Sequence, residues 1–347
     1  MSRVPMNNAL ASAGDDVGST RSAVWCMRAG RESLAKPVDF RWKGTRRMRG
    51  AALIIAMLLA ALAAAVIATL ASSQSQWLRT VELRRDQVQA QALVLAGLAW
   101  ARQVLQDDTA AGPYDHLGET WAIPLPPTPL ENGWIEGRIV DAQGLVNLNN
   151  LAGDGAIARA EQRRLATLFA QAQLPAAAID ALADWIDVDD AGRDGGSEAA
   201  PYASLRPARM PANAPLLRSA EATLVRGIDA ALFSGLAPYV TALPATTPLN
   251  VNTAPREVLQ ATVNGLDDDS LTALLADRTR KMFTTPAEFR ARLPSGASLD
   301  DLGAIGVRSD YFLVTVKARQ RETLAQGRAL LKRDGQSPPR VVWQTIE

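Results

Sequence analysis

The hydrophobic and polar positions of this chain fall into sharply different regimes. From Ala51 to Ala71 the chain carries no charge, and Thr69 is its one polar residue. A helix rising ~1.5 Å per residue over that length crosses a hydrocarbon core of ~30 Å, so the run predicts a transmembrane segment over 51–72. A cleavable signal peptide competes with this reading, with small-residue sites such as Ala63-Ala64-Ala65, but its apolar part runs only ~7–15 residues. Between Gly50 and Gly112 the sole glycine or proline is Gly97, so the helix is expected to continue to about Gln106. Past the span, Trp77, Val81, Val88, Ala92, Leu95 and Ala99 recur at helical spacing. They make one apolar stripe, expected to lie on a protein body, with Arg79, Glu82, Arg84, Arg85 and Asp86 on other faces.

The pattern then changes. Prolines 113, 124, 126, 127 and 129 fall within residues 107–132 and predict an exposed connection. GWIEGRIVDAQGLVNLNN alternates apolar and polar positions, which predicts a pair of strands, or one strand and a turn, with the turn near Gln143-Gly144. Residues 157–186, 219–237 and 254–278 have helical spacing. SDYFLVTVKARQRETLAQGRALLKRD returns to β character, and PRVVWQTIE supplies a last strand. Helical material flanked by strands of one sheet predicts an α+β fold: a long N-terminal helix packed on an antiparallel sheet, with an inserted helical subdomain. The expected divisions are a basic leader (1–50), the transmembrane part of the helix (51–72), the rest of the helix with the connection and first strands (73–150), the inserted subdomain (151–305) and the C-terminal strands (306–347).

Asn147-Leu148-Asn149 and Asn250-Val251-Asn252 each precede a helical segment, a weak internal repeat. In the second copy, Asn252 or Thr253 is placed as N-cap with Pro255 in the first turn, similar to a helix-hairpin-helix unit. Such units meet DNA phosphate with backbone N–H groups of a glycine-rich turn. Here the turn reads VNGLDDDS, and Asp267, Asp268 and Asp269 would repel phosphate. A helical packing module is favoured, with a membrane-anchored nucleic-acid-binding protein as the alternative function.

Charge sharpens this picture. Residues 1–50 hold ten Lys/Arg against four Asp/Glu, whereas the rest of the chain is mildly acidic, a poor footprint for nucleic acid. The single cysteine, Cys26, excludes an intrachain disulfide, and the single histidine, His116, removes most Ser–His, Cys–His and His-rich metal chemistry.

The most chemically loaded stretch is DWIDVDDAGRDGGSEAAPY, in which Asp187, Asp189, Asp190, Asp194 and Glu198 crowd together with three glycines. Like charges so close repel unless a cation neutralises them, and hard oxygens on a flexible loop suit Ca²⁺. With Asp187 as first position, Asp189, Gly192 and Glu198 fall where an EF-hand loop requires them, but Ala191 occupies a ligand position and Pro201 argues against an exiting helix. The loop is therefore not an EF-hand. A solvated acidic loop is the competing reading, with Trp185 and Tyr202 packing its base. A glycosidase pair would need one carboxyl in an apolar cleft beside an aromatic platform, which a glycine-rich setting does not offer, so no enzyme is expected.

Arg46-Arg47-Met48-Arg49, then Gly50 and the apolar helix, resemble the start of a type IV prepilin or pseudopilin. VDAQGLVNLNNL (140–151), LADWIDVDD (182–190), PANAPLLRSAEATLVRGI (211–228), LNVNTAPREVL (249–259) and SDYFLVTVKAR (309–319) are similar, in that order, to the K-type minor pseudopilins of type II secretion (general secretion pathway protein K family). The resemblance covers most of residues 46–347. It implies cleavage by prepilin peptidase between Gly50 and Ala51, and methylation of the new Ala51 amine. It also implies a non-enzymatic subunit capping the tip of a periplasmic pseudopilus that supports export of folded proteins across the outer membrane. The implied partners are other minor pseudopilins, prepilin peptidase and inner-membrane lipid, with no nucleic acid. The implied location is the inner membrane, crossed once, with the head in the periplasm. Calcium held in the Asp187, Asp189, Asp190, Asp194 and Glu198 region is implied as well. Ile55 stands where most prepilins and pseudopilins carry Glu, and that absence is part of the resemblance to the K-type subunit. One feature departs from the family: the leader is long unless Met27 or Met48, rather than Met1, is the start.

Overall fold

The computed structural model describes residues 48–109, 112–153, 155–197, 199–335 and 337–347. Most of the leader, residues 1–47, lies outside them, as does Glu198 of the acidic loop. Helix α1 spans Met48–Thr109. The chain divides into two compact units, Met1–Thr69 and Leu70–Glu347.

In the first unit every position from Gly50 to Thr69 is helical and exposed. The Thr69 hydroxyl donates to the Val66 carbonyl at 2.8 Å, so the one polar side chain of the run is satisfied within the helix, as lipid requires. This helix is long and apolar enough to cross a membrane.

The second unit follows the remainder of α1 with β1 (Leu125–Leu130), β2 (Gly133–Asp141) and β3 (Val146–Asn147). Next come α2 (Ala156–Gln171), α3 (Ala177–Ile186), α4 (Ala199–Ala203), α5 (Ala230–Leu236) and β4 (Val240–Thr241). Then β5 (Leu249–Asn250) leads to α6 (Arg256–Thr262), α7 (Asp268–Arg280), α8 (Pro286–Ala291) and β6 (Ile305–Gly306). The long strands β7 (Tyr311–Gln320), β8 (Thr323–Asp334) and β9 (Ser337–Ile346) close the chain.

The main sheet is antiparallel in the order β1-β2-β7-β8-β9. One face receives α1 through Ala90, Val94, Leu98, Ala101 and Leu105, which bury against Phe312, Val314, Val316, Ala325 and Ala329. Gly97 lets the helix approach this closely, since a Cβ there would stand 2.7 Å from Val316 Cγ1. The α+β architecture expected from the sequence is present.

Two expectations are corrected. The Trp77–Ala99 stripe does not lie on the body: Trp77, Val81, Val88, Ala92, Leu95 and Ala99 are all exposed, and the sheet takes the neighbouring face of smaller residues. The proline-rich connection contains a strand, β1, whose Pro126, Pro127 and Pro129 lack N–H groups. As an edge strand it needs only one side of its hydrogen bonding, and its register shifts between Leu125 and Thr128. Of the two readings of the alternating stretch, strand plus turn is the one present: the long strand β2 is followed by a 3₁₀ turn at Ala142–Gly144 and the short β3.

The helical subdomain is inserted between neighbours of the sheet. The chain leaves β2 at Asp141 and returns in β7 opposite it, where Asp141 pairs with Phe312. Ends that already touch make a long insertion cheap in closure entropy. The subdomain is two copies of one plan, each a set of helices tied by a two-residue parallel strand pair, β3 with β4 and β5 with β6. In the first copy, Asn149 accepts from Leu216 N at 2.8 Å and donates to Leu216 O at 2.9 Å. In the second, Asn252 accepts from Phe283 N at 2.8 Å and donates to Phe283 O at 2.9 Å. The weak repeat is therefore real. The side-chain amide of each second Asn serves as a strand residue would, rather than as an N-cap: α6 begins after Pro255, and Thr253 donates instead to Asp141. Both copies share one hydrophobic core, joined by a buried Arg164–Glu161 pair whose arginine also donates to Thr262 and to the Ala304 carbonyl.

Candidate functional site

The acidic loop starts from the C-terminus of α3. That helix buries nearly everything from Ala178 to Ile186, Asp184 included, at zero exposure. Trp185 packs edge-on against Tyr202 with ring centroids 5.1 Å apart, so these two rings form the loop base as expected. The loop folds back onto α3 because it carries glycine. A Cβ on Gly195 would meet Asp180 Oδ2 at 2.6 Å, and one on Gly196 would overlap the Asp184 carboxyl.

This fold-back gathers the loop on Asp184, which accepts from the backbone N–H of Arg193 at 3.1 Å and of Ser197 at 3.0 Å. The Arg193 guanidinium reaches into the same place. Its Nη1 stands 2.6 Å from Asp184 Oδ1 and 2.5 Å from Asp187 Oδ2. Partial burial works against the charge of Arg193, but the hydrogen bonds it donates to Asp187 and Asp184 outweigh it and raise the guanidinium pKa. Asp187 is 8% exposed, and its second oxygen, Oδ1, is buried with no hydrogen-bond partner. A buried carboxylate oxygen left unpaired costs roughly 1–3 kcal/mol or more, and a cation beside it would remove that cost.

The other acids of the loop stand apart from this point. Asp189 and Asp190 are exposed; Asp189 accepts from Ala191 N at 2.9 Å, and Asp190 from Asn213 Nδ2 at 3.1 Å. Asp194 is exposed in the turn before Gly195. Asp184 and Arg193 are therefore the members that sequence reasoning passed over. Asp184 sits in the last turn of α3, three residues before Asp187 at the helix end, and that spacing is the signal that could have found it. The donor set, hard carboxylate oxygens with one orphaned and buried, fits calcium.

A second group of acids lies where the insertion joins the sheet. Asp108, Asp115 and Glu119 bring carboxylate oxygens within 4.8 Å of one another, the one such trio among the described residues. Arg333 serves it, with Nη1 2.8 Å from Asp108 and Nη2 against Asp115. Burial, then the neighbouring Glu119, pushes the Asp108 carboxyl up to about 6 despite Arg333. Asp141 is raised by burial to about 6 as well, although Ser309 and Thr253 donate to it at 2.7 and 2.6 Å.

Along α1 the exposed face carries Trp77 at 64% exposure, Val88 at 64% and Trp100 at 53%, whereas Ala90, Val94 and Leu105 on the sheet side have none. The helix is thus apolar on two faces and covered on one. The helix-hairpin-helix-like turn offers nothing to phosphate, because Asp267 takes the Ser270 N–H at 2.7 Å and Asp268 pairs with Arg256 at 2.8 Å. The nucleic-acid alternative finds no support.

Two family models described as Type II secretion system (T2SS), protein K match residues 144–245 and 249–308, the two copies of the helical plan. Type II secretion system protein K of Pseudomonas aeruginosa is 32% identical over 281 residues, covering 78% of this chain and 84% of the relative. That of Klebsiella pneumoniae is 29% identical over 308 residues, covering 84% and 94%. Among solved structures, the GspK-GspI-GspJ complex from the enterotoxigenic Escherichia coli Type 2 Secretion System contains a chain similar to this one. It matches at a TM-score of 0.66 and 27% identity, over 77% of this chain and 99% of that one. With two family models matched along the helical subdomain, a solved structure of similar fold and a relative above 30% identity along most of both chains, this chain belongs to the type II secretion system protein K family.

Proposed function

We propose that this minor pseudopilin caps the tip of a periplasmic pseudopilus and thereby supports export of folded proteins across the outer membrane. In this reading α1 crosses the inner membrane once, the Leu70–Glu347 unit stands in the periplasm, prepilin peptidase cuts after Gly50 and Ala51 is methylated. The observation that carries it is the second apolar face of α1. Trp77, Val88, Leu95 and Trp100 are exposed on a helix whose other face is already buried in its own sheet. A large apolar face beside a finished core calls for helices of other chains, and the similar chain of known structure was solved with GspI and GspJ. Ile55 supports placement at the top. A carboxylate within lipid is tolerated only with a partner, and a subunit without one forgoes that charge contact with a chain above it. The two-copy insertion adds bulk that a repeated shaft subunit would have to accommodate at every step.

Calcium belongs to the same reading, with Asp187 at the centre of its site and Asp189, Asp190, Asp194 and Glu198 as further candidate ligands. When bound it would supply positive charge to carboxylates that otherwise repel, and so hold the loop against α3.

The test is co-expression of the full chain with two other minor pseudopilins of its system. A single stable complex containing one copy of this chain is expected, and Val88→Glu with Trp100→Glu should release it while leaving the fold intact. Cross-linking in membranes that finds this chain repeated along the fibre, with itself as neighbour, would overturn the capping role.

A further inference from the structure

We infer that Arg193 is a built-in counter-cation of the calcium position, seated on Asp184 and Asp187 and displaced from them when the metal binds. This rests on the calcium reading above and adds to it the identity of the competing group and of a ligand, Asp184, that lies on the helix rather than in the loop.

The geometry is specific. One nitrogen, Nη1, lies 2.6 Å from Asp184 Oδ1 and 2.5 Å from Asp187 Oδ2, so a single positive point bridges two carboxylates. Asp184 and Asp187 are buried, whereas the Arg193 side chain is 39% exposed. The acids are thus fixed by α3, and the cation is the removable partner. A guanidinium also leaves the site incompletely served. It is planar and cannot surround an oxygen cluster, and Asp187 Oδ1 remains buried without a partner. A compact cation accepting ~6–8 oxygens without fixed directions would take the orphaned atom as well as the two that Arg193 now holds.

The loop also provides a place for the displaced side chain. Arg193 borders a polar cavity of about 230 Å³ lined with Gly153, Gly155, Arg159, Gln162 and Asp180. The backbone contacts of Arg193 N and Ser197 N with Asp184 do not involve the guanidinium. The side chain can therefore swing toward Asp180 while the loop stays anchored. Without metal, Arg193 keeps the two buried acids from standing uncompensated. With metal, the same residue must leave first, which lowers the apparent affinity by the fraction of time it occupies the site.

The experiment is calorimetric titration of calcium into the full chain in detergent, for the wild type, Arg193→Met and Arg193→Lys, with melting measured in calcium and in chelator. Arg193→Met is expected to bind calcium about tenfold more tightly than wild type. It should also melt lower than wild type in chelator and recover in calcium. Arg193→Lys, which keeps a cation that reaches less well, should fall between the two. If Arg193→Met folds only with calcium present, that too is the expected result; if it fails to fold in both conditions, Arg193→Lys decides by its affinity. Equal calcium affinity in all three proteins would overturn the inference and leave the calcium reading standing. Weaker binding in the variants would overturn it also, showing that Arg193 supports the site. No heat of binding in any of them would overturn the calcium reading itself, and this inference with it.

Discussion

Asp108 and Asp141 show how much a carboxyl's surroundings decide. Both are ordinary acids in the sequence, and both are held near pKa 6, Asp108 by burial and the adjacent Glu119, Asp141 by burial. The unfolded chain keeps them near 3.8, so between pH ~4 and ~6 the folded protein binds more protons than the unfolded one. By linkage, stability then rises as pH falls through that window. Glu288 acts the other way: hydrogen bonds from Thr284 and Arg292 hold its pKa far below the usual range, so its contribution is lost as pH falls below about 4.5. The melting temperature should therefore rise from pH 7.5 to about 5 and fall below 4. Asp108→Asn should flatten the upper part of that curve. A wild-type curve that falls steadily from pH 7.5 downward would show that neither carboxyl is raised.

Among elements, the two Asn-x-Asn strands organise most of the insertion. Asn149 and Asn252 each replace a missing strand, offering one acceptor and one donor to the backbone of Leu216 and of Phe283. Asn252→Ala would leave the Phe283 N–H and C=O buried and unpaired, at about 1–3 kcal/mol per group. Urea unfolding should show a loss of about 2 kcal/mol or more, with Asn149→Ala similar. A loss under about 0.5 kcal/mol in both would mean that water or backbone takes over the role. The helical spacing of residues 157–186 was legible, and Pro175, which cannot continue a helix, was the local sign of the break at Gln173, where φ is +58° and the chain turns into α3. The packing of Leu168, Phe169, Ile179 and Leu182 into the common core then uses both helices.

At the scale of the whole molecule, the start of α1 carries the processing expectation. Gly50 is exposed, and a Cβ there would meet nothing within 4 Å, so Gly50→Val leaves the fold untouched. A peptidase that must approach the backbone closely should still be blocked by it. Mass analysis of the membrane-extracted wild type should give an N-terminal N-methyl-Ala51, and the variant should retain its leader. A wild-type N-terminus near Ala65 would instead identify a signal peptide and remove the anchor.

The sequence by itself determined the apolar span, the α+β class, the C-terminal strands, the repeated Asn motif and the Trp185–Tyr202 base of the acidic loop. Each rests on a local pattern of period or composition. What only the tertiary structure decided are relations between distant residues. A helix apolar on two faces does not say which meets its own sheet, and the choice fell to small residues around Gly97 because the backbones approach closely there. A proline-rich stretch reads as a connection until a neighbouring strand supplies hydrogen bonds on one side, as β2 does for β1. Arg333 finds Asp108 across 225 residues, and Arg193 seats itself between Asp184 and Asp187 because two glycines let the loop lie on α3. Charge pairing of this kind depends on distances that spacing along the chain does not encode.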